Sequence, residues 1–478
     1  MIEPVVIVQA RRAMEEGNTQ EAKSLFQRYL AQHSEGLLAE GVRFVVASFP
    51  RPDDGTQGFL GIIDRLNEER TNLNESVYAP WALCHIAELY RQGGWLPEAQ
   101  SSYEDFLATY PDDPLTGDVL WGAGLSFLDD HRYLEAALIF RRLVEEPKWH
   151  ARHVEGALGL ADATAQSGAW KQASYWYQVV EAERPELIRT SPPSLLAYGL
   201  VQRHLGHPQQ AMATFLQTYN LYPNQEVAGR ALNQIADQLL KDHRELLSLW
   251  FSQIAALTYP QKEPGRRGEA ALLTWVVLFL QQDHDREEWK ILSQRMEELD
   301  LSFPVSWDGV MEQARKLMRA PEGDIADEAT FWMARGYEEL GELKSSIRTY
   351  AALTTSSHVP AWGERARKKL INIVTQSLQE PYARQAWVEV LTFKHTYEKA
   401  IQIIMPNRSI MKMIAESYRG VGLPEQALQW YDSLLAHEPD PHLREDIAAT
   451  KVLIANEMDN GELVKKFGGD YEWNYPNG

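Results

Sequence analysis

Residues 80–113 read PWALCHIAELYRQGGWLPEAQSSYEDFLATYPDD, and this stretch decides the fold. Trp81, Leu83, Ile86, Ala87 and Tyr90 recur at steps of mostly three and four residues, which places them on one face of a helix. Gly93 and Gly94 break that helix. Ala99, Tyr103 and Phe106 mark the inner side of a second one, and Tyr110, Pro111, Asp112 and Asp113 bring it to a stop. The spacing predicts a helical hairpin. Small Ala87 and Ala99 lie where its helices approach most closely, and the rings of Tyr90 and Tyr103 fill the gap toward a neighbour.

The same arrangement returns along the chain. Ala22, Ala99, Ala136, Ala173 and Ala211 are each followed four residues later by a ring: Phe26, Tyr103, Phe140, Tyr177 and Phe215. From Ala99 the steps are 37, 37 and 38 residues, and Pro111, Pro147, Pro185, Pro223 and Pro260 close the units at nearly the same interval. A unit of this size cannot bury its apolar face alone, so the period signals a stacked array.

These positions resemble the tetratricopeptide repeat: a small residue, a Gly at the turn, a second small residue, an aromatic four later and a closing Pro. Ala10, Gly17, Ala22 and Phe26 give an N-terminal copy. Ala334, Tyr337, Gly341, Ser346 and Tyr350 give another, and Ala415, Tyr418, Gly422, Ala427 and Tyr431 the last clear one. The period is longer than the family's 34 residues, and the half-a-TPR type has a similar one. The Tyr-Pro endings at Tyr110, Tyr222 and Tyr259 favour the tetratricopeptide reading. Endings such as Phe106 to Asp113 are similar to bacterial tetratricopeptide proteins of the cell envelope.

The resemblance implies an all-α, right-handed α-solenoid of stacked antiparallel helical hairpins. It divides into an N-terminal array over 1–225, degenerate hairpins over 226–325, a C-terminal array over 326–442, and a capping helix and tail over 443–478. Helical periodicity persists through Glu269 to Leu299 and Trp307 to Met318. Bends are expected at Pro260 to Gly268, where Pro260 and Pro264 interrupt helix, and at Ala320 to Gly323. The polar, Gly-rich, aromatic tail from Asn460 reads as a loose extension or a segment pinned to a neighbour.

Composition narrows the function. A net charge of −20 disfavours a sequence-independent grip on phosphate backbones, so nucleic acid is not an expected partner. An acidic surface keeps an array soluble and can steer a basic partner toward it. The single cysteine, Cys84, excludes intramolecular disulfides and multi-cysteine metal sites. The charge-free stretch Ala270 to Leu280 is too short for a bilayer, so no membrane insertion is expected. Met1 to Ala13 lack a basic head, an apolar run and a cleavage site. As written the chain is expected in the cytoplasm; the periplasm or cell envelope is the alternative if an export signal has been removed.

Candidate chemistry is sparse. His150 and His153 share a helical face near Glu145 and Glu146 but lack the embedded Glu of a zinc-protease helix, and a solvated linker explains them. Gly122 and Gly124 sit at the repeat's small-residue position instead of after a strand, so they form no phosphate loop. Cys84 lacks a positioned base. Asp283, His284 and Asp285 read as a polar turn. No catalytic residue, metal or cofactor is expected. Fifteen tryptophans stand out; Trp95 and Trp170 fall near turns, while Trp289, Trp362 and Trp473 lie outside the clear repeat positions.

Function is therefore sought in surfaces. In stacked hairpins the first helices line the concave side, and the resemblance implies that their variable positions face a groove. Here Glu88, Arg91, Asp118, Trp121, Leu125, Leu158, Asp162, Leu196 and Arg203 occupy it, with Glu155 and Leu200 beside them. The Lys and Asn that clamp a chaperone's C-terminal carboxylate in one subfamily are replaced by Cys84 and Glu88, Trp121 and Leu125, and Leu158 and Asp162. An apolar or basic helix or peptide fits better than an acidic tail. The expected function is a non-catalytic scaffold that holds other proteins, or copies of itself, in a complex; the alternative is a regulatory or substrate-recruiting subunit of an enzyme on another chain.

Overall fold

A computed structural model describes residues 4–51, 54, 58–281 and 305–475. Asp283, His284, Asp285, Trp289 and the stretch of predicted helix running to Leu299 lie outside them. Among the described residues the regular structure is helical throughout, with no β-strand. The chain forms two compact units, Met1–Ala231 and Leu232–Gly478.

In the first unit the helices pair in order. Val5–Glu15 pairs with Thr19–Gln32, Leu37–Ala47 is followed by Gly58–Asn72, and Ala79–Gln92 pairs with Leu96–Thr109. Thr116–Asp129 pairs with Tyr133–Glu145, His153–Gln166 with Trp170–Glu183, and Pro192–His204 with Pro208–Leu221. A three-residue turn reverses the chain in several hairpins, and its chemistry is the same each time. Gly94 sits at φ +78°, its N–H donates to the Arg91 carbonyl, and the N–H of Trp95 donates to that of Tyr90. This left-handed cap satisfies the last carbonyls of the first helix and favours glycine, which has no Cβ to crowd the following carbonyl. His131 takes that place at φ 58° in the next hairpin, with the same pair of bonds to Leu128 and Phe127.

Stacking follows from the rings. Phe140 is fully buried, and a Cβ added at Gly124 of its own first helix or at Gly159 of the next hairpin would come within 2.4 or 2.6 Å of its ring. Tyr103 meets Gly122 of the following hairpin in the same way, at 2.5 Å. Phe140 is thus held between a small residue of its own hairpin and one of the next, and its burial contributes roughly 1.5–3 kcal/mol. The cores are shared accordingly. Leu83, Ala99, Tyr103 and Phe106 form one cluster with Val119 and Ala123 of the next hairpin, and Ala136, Phe140 and Leu143 another with Leu160 and Ala163.

The second unit continues with Gly323–Glu339 and Leu343–Ser356, Pro360–Ala383 and Trp387–Thr396, Arg408–Gly420 and Pro424–His437, and Pro441–Glu457 and Gly461–Asn474. Ahead of them, Trp307–Leu317 and Glu263–Gln281 share a cluster with Ile325 and Met333. Across the chain, three local readings of the sequence gain detail. Pro264 does not interrupt helix: it lies in the first turn of Glu263–Gln281, where a missing N–H costs nothing. The connection that carries His150 is a 3-10 turn, Pro147–Arg152, solvent-exposed at Lys148, His150 and Ala151 with Trp149 buried, and His153 opens the helix that follows. The tail is helical over Gly461–Asn474, started by Asn460 accepting from the Leu463 N–H and pinned by Tyr471 donating to Glu445 at 3.1 Å.

A candidate binding face on the first helices

The first helix of one hairpin touches the first helix of the next, from Ala79–Gln92 through Thr116–Asp129 and His153–Gln166 to Pro192–His204. Because the rings of the second helices close these helices from one side only, their other side forms a continuous face. The candidate residues lie on these four helices, and the structure sorts them by burial and bonding.

Glu88, Arg91, Asp118 and Asp162 are bonded. Glu88 accepts from Arg91 at 3.0 and 2.7 Å, from Gln92 at 2.8 Å and from the Tyr103 hydroxyl at 2.9 Å. Burial raises its pKa, yet these donors outweigh burial and leave it below the usual carboxylate range. Arg91 also reaches Asp129 in the following hairpin at 3.1 Å. Asp118 accepts from Arg152 at 2.8 Å. Asp162 accepts from the hydroxyls of Tyr177 at 2.5 Å and Ser194 at 2.7 Å, the second in the next hairpin. Burial dominates there and pushes its pKa up to about 6. Arg91, Asp118 and Asp162 therefore act as rivets between consecutive hairpins of the first unit.

The apolar ones divide. Leu158 is only 6% exposed and packs with Ala161, Tyr177 and Leu195, so it belongs to the interior. Trp121 and Leu125 are half-buried one turn apart, with the Trp121 ring 5.3 Å from Phe140. Leu196 lines a depression of 320 Å³ with Pro193, Ala197, Leu200, Val227 and the stem of Arg230, and Glu226 holds Arg230 at the rim at 3.1 Å. Arg203 is half-buried in the last turn of Pro192–His204. Leu196 and Leu200 are thus brought to one place, while Trp121 and Leu125 form a separate patch two hairpins earlier.

Most of the remaining candidates are packed or bonded. Burial and nearby carboxylates push the Cys84 thiol up to about 11, so it stays protonated. His153 bonds the Val144 carbonyl through Nδ1 at 3.2 Å. Among the described residues no three His, Cys, Asp or Glu side chains converge as a metal site requires, and no helix is long and apolar enough to cross a membrane. Trp95 packs against Phe59 and Tyr90, Trp170 stacks on His204 at 4.0 Å, and Trp362 lies 5.4 Å from Phe331. Trp473 is 85% exposed.

Sequence reasoning missed the hydroxyls of Tyr103, Tyr177 and Ser194, though a signal for the tyrosines exists. In these two hairpins an acid stands fifteen residues before the Tyr, Glu88 before Tyr103 and Asp162 before Tyr177. For Phe140 and Phe215 the same position holds Leu125 and Leu200.

Comparison with known proteins agrees with this construction. Residues 86–151 match the family model described as Tetratricopeptide repeat. No curated protein matches the chain. Among solved structures, a tetratricopeptide repeat protein from Parabacteroides merdae is 14% identical, over 55% of this chain and 97% of its own, with a TM-score of 0.39. The apo quorum sensor NprR from B. thuringiensis is 12% identical over 73% and 96%, with a TM-score of 0.45. The human IFIT1 dimer with m7Gppp-AAAA is 12% identical over 92% of each chain, with a TM-score of 0.43. Likeness at this level carries no function across. The tetratricopeptide repeat model thus covers the hairpins over residues 86–151, and the same pairing of small residue and aromatic recurs in the hairpins beyond them.

Proposed function

We propose that the chain is a non-catalytic scaffold whose first-helix face in the unit Met1–Ala231 holds another protein in a complex. The supporting observation is the depression lined by Leu196, Leu200, Pro193 and Val227, an apolar floor that no side chain of the described residues fills. Its occupant is an apolar or basic amphipathic helix or extended peptide, whose side chains enter the depression while its charges meet the acidic members of the face. Tetratricopeptide repeats serve protein–protein interaction, and the groups on this face bond one hairpin to the next instead of forming a nucleophile with its base.

The test is affinity capture by the full chain and by Leu196→Glu/Leu200→Glu, with mass-spectrometric identification and circular dichroism of both proteins. A partner retained by the wild type should be lost from the variant at unchanged helicity. Identical captured sets would refute the proposal. An enzyme among the lost partners, with a rate that changes on binding, would assign the chain to regulation or recruitment.

A further inference from the structure

The second unit departs from the repeat geometry at the hairpin that begins with Pro360. Its first helix, Pro360–Ala383, runs to 24 residues. Its second is cut into Trp387–Thr396 and Glu398–Ile403, because Tyr397 leaves helical geometry at φ −114°, ψ 27°. The short piece packs on Leu343–Ser356, the second helix of the preceding hairpin. A depression of 640 Å³ opens between them. Such departures from a repeat are where function is expected to sit.

Its lining is unlike that of the first unit's face. Ile347, Ala351 and Ile403 give an apolar floor, and Arg348 from one wall faces Lys399 from the other. The one acid of the walls, Glu398, is already held by Lys394 at 2.9 Å. Arg348 and Lys399 are both exposed, and no carboxylate among the described residues pairs with either. Arg91, Arg266 and Arg408, by contrast, are each bridged to a carboxylate. Leu343 to Ile403 carries nine lysines and arginines against four glutamates and no aspartate, in a chain of net charge −20.

We propose that this depression docks an acidic segment of a partner protein. Aspartate or glutamate side chains pair with Arg348 and Lys399, and apolar residues of the same segment rest on Ile347, Ala351 and Ile403. A planar guanidinium grips a carboxylate through two parallel bonds, and a lysine adds a mobile point charge. A positive island on an otherwise acidic molecule also steers an anionic chain to this spot. The alternative anions fit less well. A phosphate site gathers donors on one point, whereas these cations stand on opposite walls. Single-stranded nucleic acid needs open ring faces to stack on, and the Tyr397 ring is packed against Phe393 at 4.6 Å. This site is separate from the first-helix face and does not depend on it.

The test uses the full chain and a fluorescent 15-residue peptide that alternates Glu with Leu and Phe, beside a counterpart with Gln for every Glu. The acidic peptide should bind, weaken at least tenfold between 50 and 300 mM salt, and weaken at least tenfold in Arg348→Glu/Lys399→Glu. It should bind Leu196→Glu/Leu200→Glu as it binds the wild type. Both sites of the double charge reversal are exposed, and thermal melts confirm the fold. Equal binding of the Gln peptide, or undiminished binding to the charge-reversed protein, overturns the proposal. So does displacement of the peptide by an equimolar oligoadenylate, or a dimer in sedimentation that the charge reversal dissolves, since these give the surface to RNA or to a second copy.

Discussion

His131 holds the left-handed turn position that Gly94, Gly168 and Gly206 hold in neighbouring hairpins. Its Cβ crowds the next carbonyl there, a cost of about 1 kcal/mol that its 3.0 Å contact with the exposed Tyr133 hydroxyl offsets only slightly. His131→Gly should therefore raise stability by about 1 kcal/mol, read as a higher urea midpoint at unchanged slope. Asp162 gives a pH signature. Burial raises its pKa from the ordinary aspartate value of about 3.8 to about 6 in the folded chain, so the folded state binds the proton more tightly than the unfolded one. The contribution of this group is most favourable below pH 4, falls as pH rises through 4 to 6, and levels off above, a loss on the order of 2–3 kcal/mol. Asp162→Asn still accepts from Tyr177 and lets Ser194 accept in turn, so between pH 4 and 6.5 its melting temperature should gain on the wild type. Parallel pH curves for the two proteins would contradict the assignment. Turn glycines at this scale are legible in sequence because their conformational role is written in their identity. His131, Gln385 and Asp459, at equally positive φ, carry no such mark.

At the scale of the helix, the rule for a close seam is one ring between two small residues. A Cβ at Gly159 would already lie 2.6 Å from the buried Phe140 ring, and only a shift of the neighbouring hairpin relieves that. Gly159→Leu should destabilise by about 1–3 kcal/mol or more, checked by the urea midpoint beside Phe140→Ala, which leaves a cavity and should cost about 3–5 kcal/mol. The hairpins with this pattern were readable because their period is fixed by packing. The face they present was less so. Counting positions along a first helix puts Leu158 and Asp162 on its variable side, but it does not reveal what the second helix sends toward them, here the Tyr177 ring and its hydroxyl. The break at Tyr397 was illegible for a different reason: neither glycine nor proline marks it.

Across the first unit, every cluster of buried residues described above belongs to two consecutive hairpins, so cohesion is a chain of neighbour terms with no common centre. Hydrogen exchange should show this. In Gly159→Leu, amide protection should fall first in Thr116–Glu183 and be retained in Val5–Gln32. Uniform loss over the unit would mean one cooperative core. The stacked architecture itself was the most legible property, since a recurring small residue and ring is imposed by the seam, whereas the bonds that rivet one hairpin to the next, such as Arg91 to Asp129, depend on side chains the period leaves free. Because Phe140 is shared by Gly124 of its own hairpin and Gly159 of its successor, the chain can change length only in whole steps. Excising one complete period rejoins a ring to a waiting glycine, while excising half a period leaves an orphaned helix with an oily flank and nothing to lean on.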